Sequence, residues 1–110
     1  MYIENCDGDL INSRYLAYLR TEQRDVSDME ADEIERNYIW CLCAVMLNGN
    51  RFDIAYFYDI PELNRDKCLI TTFWKEDINT GGTNTIYKTY GLTYEKLIEK
   101  VMDRTYFKEV

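Results

Sequence analysis

The chain of 110 residues contains no histidine. Its absence removes the commonest general base, the commonest zinc ligand and the proton carrier of serine-type triads, so a non-catalytic protein is expected. Nor is there a run approaching the roughly 18 consecutive apolar residues of a membrane span. The start, MYIENCDGD, has neither the basic nor the apolar region of a secretion signal. The expectation is a cytoplasmic protein without membrane contact. Basic residues are also scarce: 13 Lys and Arg face 20 Asp and Glu, a net charge of −7. Nucleic-acid affinity rests on clustered cations that release counterions from phosphates, so direct nucleic-acid binding is not expected.

The four cysteines, Cys6, Cys41, Cys43 and Cys68, are too few and too embedded in apolar runs for a disulfide framework, which fits a reducing compartment. As a zinc site they are poorly spaced. Cys41 and Cys43 alternate on an expected strand, about 6 to 7 Å apart along one face, and the usual knuckle is a C-x2-C turn. They read as free thiols that behave as small hydrophobes, and no metal or other cofactor is expected. Asp7-Gly8-Asp9 followed by Asn12 fails as a calcium loop, because Tyr18 stands where an EF-hand needs its closing Glu and Asn12 where it needs Gly. Internal repeats and low-complexity tracts are absent.

What is present is an apolar, aromatic-rich sequence, 46% hydrophobic and 15% aromatic, suited to one folded domain over 1–110. Asn48-Gly49 is a strong hairpin signal, because a two-residue type I′ turn needs positive φ at both central positions. It joins the apolar YIWCLCAVML to the alternating RFDIAYFYDI. With Leu47 facing Asn50, the register predicts Val45 opposite Phe52, Cys43 opposite Ile54, Cys41 opposite Tyr56 and Ile39 opposite Tyr58 on one face. Ala44 then meets Asp53, Leu42 meets Ala55 and Trp40 meets Phe57 on the other.

MYIENC, Asp7-Gly8-Asp9 and LIN read as a shorter hairpin in the same meander. Residues 14 to 21 fit both a helix capped by Ser13 and a two-sided strand, with the strand preferred. Ser27 and Glu30 match a capping box that would start a helical turn over 28–35. CLITTFWK, residues 68 to 75, reads as a further strand from its β-branched and aromatic content, and residues 76 to 85 as a loop around Gly81-Gly82. Tyr94, Leu97, Ile98, Val101 and Met102 recur at helical spacing behind Thr93 as N-cap. The fold class expected is α+β: an antiparallel sheet of about five strands with one amphipathic C-terminal helix packed on a face. The acidic connection 22–36 and the loop 76–85 would be insertions.

The opening MYIENCDGDLINSRYL, with the layout that follows it, resembles small uncharacterised proteins of bacteria and their phages that begin with a DGDLIN-like turn. The resemblance rests locally on Asp7 to Asn12 and implies a compact antiparallel sheet with a packed helix in a bacterial host cell. It brings no catalytic residues, and the segments 22–36 and 76–92 depart from it by their length.

Two surfaces could carry function. Between Glu22 and Arg36 lie seven acids against two bases, which concentrates −5 of the net −7. That segment suits a partner protein with a basic surface, and the expectation is a nucleic-acid-handling target blocked by an anti-defence or anti-CRISPR-like inhibitor. Asp25, Asp28, Glu30, Asp32, Glu33 and Glu35 would make the contact. Tyr87, Tyr90 and Tyr106 would add area, because tyrosine gives large contact surface at low entropic cost. The plain reading of the acids is a solvated connection that keeps a tyrosine-rich chain soluble. The alternative function is a small-molecule, nucleotide-like binding protein, homo-oligomeric, with Gly81, Gly82, Lys75 and Lys88 around the ligand. NTGGTNT lacks a Walker lysine and a G-x-G-x-x-G pattern, and its plain reading is a linker.

Overall fold

The computed structural model describes residues 1–26, 38–80 and 85–102. It is α+β, with two three-stranded sheets and two helices where the sequence predicts one sheet of about five strands and one helix. Strand β1 (Tyr2–Glu4) pairs antiparallel with β2 (Leu10–Asn12) and parallel with β6 (Ile86–Lys88). Strands β3 (Leu16–Asp25), β4 (Tyr38–Met46) and β5 (Arg51–Phe57) form a separate antiparallel sheet in that order.

The N-terminal hairpin forms as predicted, but in its own sheet. Its loop is tied by Asn5, whose Oδ1 accepts from the backbone N–H groups of Asp7 and Asp9 at 3.1 and 2.8 Å. The Cys6 N–H then donates to the Ile54 carbonyl at 2.7 Å, which docks the small sheet on β5. Residues 16–21 are strand, and β3 continues through Asp25, so the first residues of the acidic segment are paired with β4 rather than forming a connection.

At the central hairpin the register departs from expectation in two compensating steps. The turn is a three-residue loop: Gly49 N–H donates to the Met46 carbonyl at 2.9 Å, Met46 N–H donates to the Asn50 carbonyl at 2.8 Å, and Gly49 takes φ +87°. This is the type I turn closed by a left-handed residue, a position where glycine costs nothing. Met46 therefore replaces Leu47 opposite Asn50, and the next pairs are Val45 with Arg51, Ala44 with Phe52 and Cys43 with Asp53. A β-bulge at Ile54 then inserts one extra residue, and the predicted pairs Leu42–Ala55, Cys41–Tyr56 and Trp40–Phe57 are restored. The bulge sends consecutive residues Ile54 and Ala55 into the same core and turns Asp53 to the cysteine face.

Helix α1 (Ile60–Thr80) replaces both the strand predicted over 68–75 and the start of the loop predicted over 76–85. Leu63, Asp66, Ile70, Trp74 and Asp77 follow helical spacing on the inward side. Leu63 and Ile70 pack with Leu42, Ala44, Ala55 and Phe57 of the larger sheet and Ile3, Ile11 and Tyr87 of the smaller one, in one core between them. The β-branched residues that suggested a strand are accommodated by back-bonding: Thr71 and Thr72 hydroxyls donate to the carbonyls of Lys67 and Cys68 at 2.8 and 2.9 Å.

Helix α2 (Tyr94–Met102) is the predicted C-terminal helix, with Thr93 Oγ1 accepting from the Lys96 N–H at 3.2 Å as its N-cap. Its Leu97, Ile98 and Val101 bury against Val26, Ile39 and Tyr58 on the face of the larger sheet opposite α1. The chain reaches α2 past β5 at Gly91, where a Cβ would lie 2.4 Å from Ala55 Cβ and 2.7 Å from the Phe57 ring. Only glycine passes there. No helix among the described residues is long and apolar enough to cross a membrane.

Candidate functional site

The bulge at Ile54 builds a polar cluster on an otherwise apolar sheet face. In antiparallel pairing, opposed residues share a face, so Arg20, Cys43 and Asp53 stand in one row and Glu22, Cys41 and Tyr56 in the next. The two sulfurs are 3.5 Å apart, and Cys43 Sγ lies 3.5 Å from Asp53 Oδ1 and 3.8 Å from Glu22 Oε2. The spacing of 6 to 7 Å expected for alternate strand residues is a main-chain distance; the side chains lean together and close it. Both cysteines are fully buried. Cys6, half-buried beside the small hairpin, and Cys68, exposed on α1, do not join them.

Asp53 is held from two sides. The Tyr56 hydroxyl donates to Oδ2 at 2.5 Å and Arg24 Nη2 donates to Oδ1 at 3.1 Å. Burial pushes its carboxyl up, but these two groups and the thiols more than offset it and hold Asp53 below the usual carboxylate range. Burial and the carboxylate acceptor both raise Tyr56. Glu22 forms ion pairs with three guanidinium groups: Arg51 at 2.5 Å, Arg20 at 3.1 Å and Arg24 at 3.2 Å. Within the thiol pair, the hydrogen bond from Cys41 lowers Cys43 and correspondingly raises Cys41. Tyr94 of α2 closes edge-on over Tyr56, ring centres 5.7 Å apart.

The predicted surface residues are scattered over the fold. Asp25 ends β3 and is exposed. Asp28, Glu30, Asp32, Glu33, Glu35 and Tyr106 lie outside the described residues, as do Gly81 and Gly82 and the helical turn expected over 28–35. Tyr87 is buried, not on the surface: its hydroxyl donates to Asp66 of α1, which is fully buried and also accepts from the Thr89 hydroxyl. Tyr90 is 65% exposed, with the Arg65 guanidinium 5.2 Å over its ring. Lys75 is exposed on α1, and Lys88 is exposed on β6 with Glu4 at 3.9 Å.

Around Tyr90, α1 and β6 frame a groove of about 620 Å³ lined by Leu69, Phe73, Ile86, Tyr87, Lys88 and Tyr90. Phe73 and Tyr87 meet there with ring centres 5.9 Å apart. The groove escaped the sequence reading because it needs residues 68–75 to be helix and 86–88 to be strand. The cysteine cluster escaped it because nothing in RFDIAYFYDI marks the bulge. Comparison of the chain with protein-family models, with curated proteins and with solved structures gave no match.

Proposed function

We propose that the protein is a non-catalytic protein-binding module that occupies a basic surface of a partner, in the form of a bacterial or phage inhibitor of a nucleic-acid-handling target. The observation that carries this reading is the concentration of acidic residues in the sequence from Asp25 to Arg36. Glu22 and Arg24 of the acidic segment are consumed within the sheet. Residues 25 to 36 still hold six acids against Arg36, again −5. Carboxylates concentrated in this way steer a basic partner and are screened by salt. Asp25 starts the run at the exposed end of β3.

The test is capture of partners from a bacterial lysate at low and high salt, followed by affinity measurement with a triple variant, Asp28→Lys, Asp32→Lys and Glu33→Lys. Three exposed pairs at about 0.5 kcal/mol each predict roughly tenfold weaker binding at low salt. An affinity unchanged by the triple reversal would refute the reading.

A second reading is favoured by the groove between α1 and β6. Its volume falls in the range of small-molecule sites, its walls are aromatic, and Lys88 stands at its edge as a charge for a phosphate. This supports the nucleotide-like ligand of the alternative, with stacking on Phe73 and Tyr90 in place of a glycine-loop cradle. A ligand at about a hundredfold excess over its Kd stabilises the fold by about 2.7 kcal/mol, so a thermal-shift screen against nucleotides detects it. A flat screen removes it.

A further inference from the structure

Cys41, Cys43 and Asp53 are the one group of three metal-ligating side chains, among the described residues, whose donor atoms all lie within 4.8 Å of one another. A tetrahedral ion that takes sulfur at about 2.3 Å and oxygen at about 2.0 Å needs sulfurs about 3.8 Å apart and each sulfur about 3.5 Å from the oxygen. Here the sulfurs are 3.5 Å apart, and Cys43 Sγ is 3.5 Å from Asp53 Oδ1. We infer that these three residues form a binding site for a thiophilic divalent cation of the zinc class, set into the exchange between β4 and β5 at the bulge.

Three features of the surroundings support it. Tyr56 occupies Asp53 Oδ2, and Arg24 takes one acceptor position on Oδ1, which leaves that oxygen a lone pair for the Cys43 thiol and, once the thiol proton is lost, for a metal ion. A ligating carboxylate is oriented by partners of this kind. The charge also balances. Arg20, Arg24 and Arg51 already exceed Glu22 and Asp53 by one positive charge, and a dication that enters as two thiol protons leave does not alter the total. The cluster therefore gains no uncompensated charge. Finally, two thiolates select zinc-like ions over magnesium and calcium, and the strands that supply the ligands are paired on both sides of the bulge, so the donors are preorganised.

The experiment is a titration of the reduced protein with cobalt(II) followed by zinc(II). It uses the Cys68→Ser background, which removes an exposed thiol remote from the cluster. The expected result is a near-ultraviolet thiolate-to-cobalt band that saturates at one equivalent, releases protons and is bleached by zinc. Adding Cys43→Ser should abolish the band while circular dichroism stays that of the parent. No band in the parent, or an unchanged band in a folded Cys43→Ser variant, overturns the site. Should Cys43→Ser fail to fold, thermal unfolding of the parent with one equivalent of zinc decides instead: a raised Tm supports the site and an unchanged Tm overturns it.

Discussion

At the scale of single residues, Asp53 and Gly91 carry more than their neighbours. Asp53 joins a tyrosine, an arginine and a thiol, and its carboxyl is held below the usual range by that company despite burial. A group whose folded-state pKa is depressed stabilises the fold above its ordinary titration range and loses that contribution as pH falls through the folded value. The stability difference between the wild type and Asp53→Asn should therefore be constant near neutral pH and shrink below about pH 4. Thermal unfolding at a series of pH values checks this, and a difference that persisted unchanged into acid would exclude the Asp53 network. Gly91 acts by absence. An alanine methyl would meet Ala55 and Phe57 well inside van der Waals contact, so Gly91→Ala should cost about 1 to 3 kcal/mol in denaturant unfolding.

At the scale of elements, α1 shows why a helix can hide in a sequence. Two of its inward positions are acids, and each has a job in the core. Asp77 accepts from the Met1 amino group at 2.9 Å, and Asp66 accepts the Tyr87 and Thr89 hydroxyls, which fastens β6 and the small sheet to the helix. With acids inside and a Thr-Thr-Phe-Trp stretch beside them, the apolar stripe is broken and β propensity dominates the reading. Asp66→Ala leaves two buried hydroxyls without an acceptor at about 1 to 3 kcal/mol each. The variant should lose about 2 to 5 kcal/mol, and Asp66→Asn, which keeps one carbonyl acceptor, should lose less. Equal losses in the two variants would mean that packing rather than hydrogen bonding fixes β6. The terminal helix was legible for the opposite reason: Tyr94, Leu97, Ile98 and Val101 are all apolar and all inward, behind a capping threonine.

At the scale of the molecule, local signals gave the parts and not their arrangement. The two hairpins, the strand from Leu16 and the C-terminal helix were readable from turn residues and periodicity. The division into two sheets was not, because it depends on the parallel contact of β1 with β6, which are 82 residues or more apart in sequence and carry no mark of each other. The candidate cluster was hidden by smaller events. A turn one residue longer than Asn-Gly implied shifts the pairing from Met46 through Cys43, and a bulge one residue wide restores it from Leu42 onward. That short stretch decides whether Asp53 faces the cysteines or the core. Cross-strand nuclear Overhauser contacts along β4 and β5 measure it directly. Contacts pairing Cys43 with Asp53 and Leu42 with Ala55, with Ile54 unopposed, are predicted; an unbroken ladder pairing Ala44 with Asp53 and Cys43 with Ile54 would contradict the account.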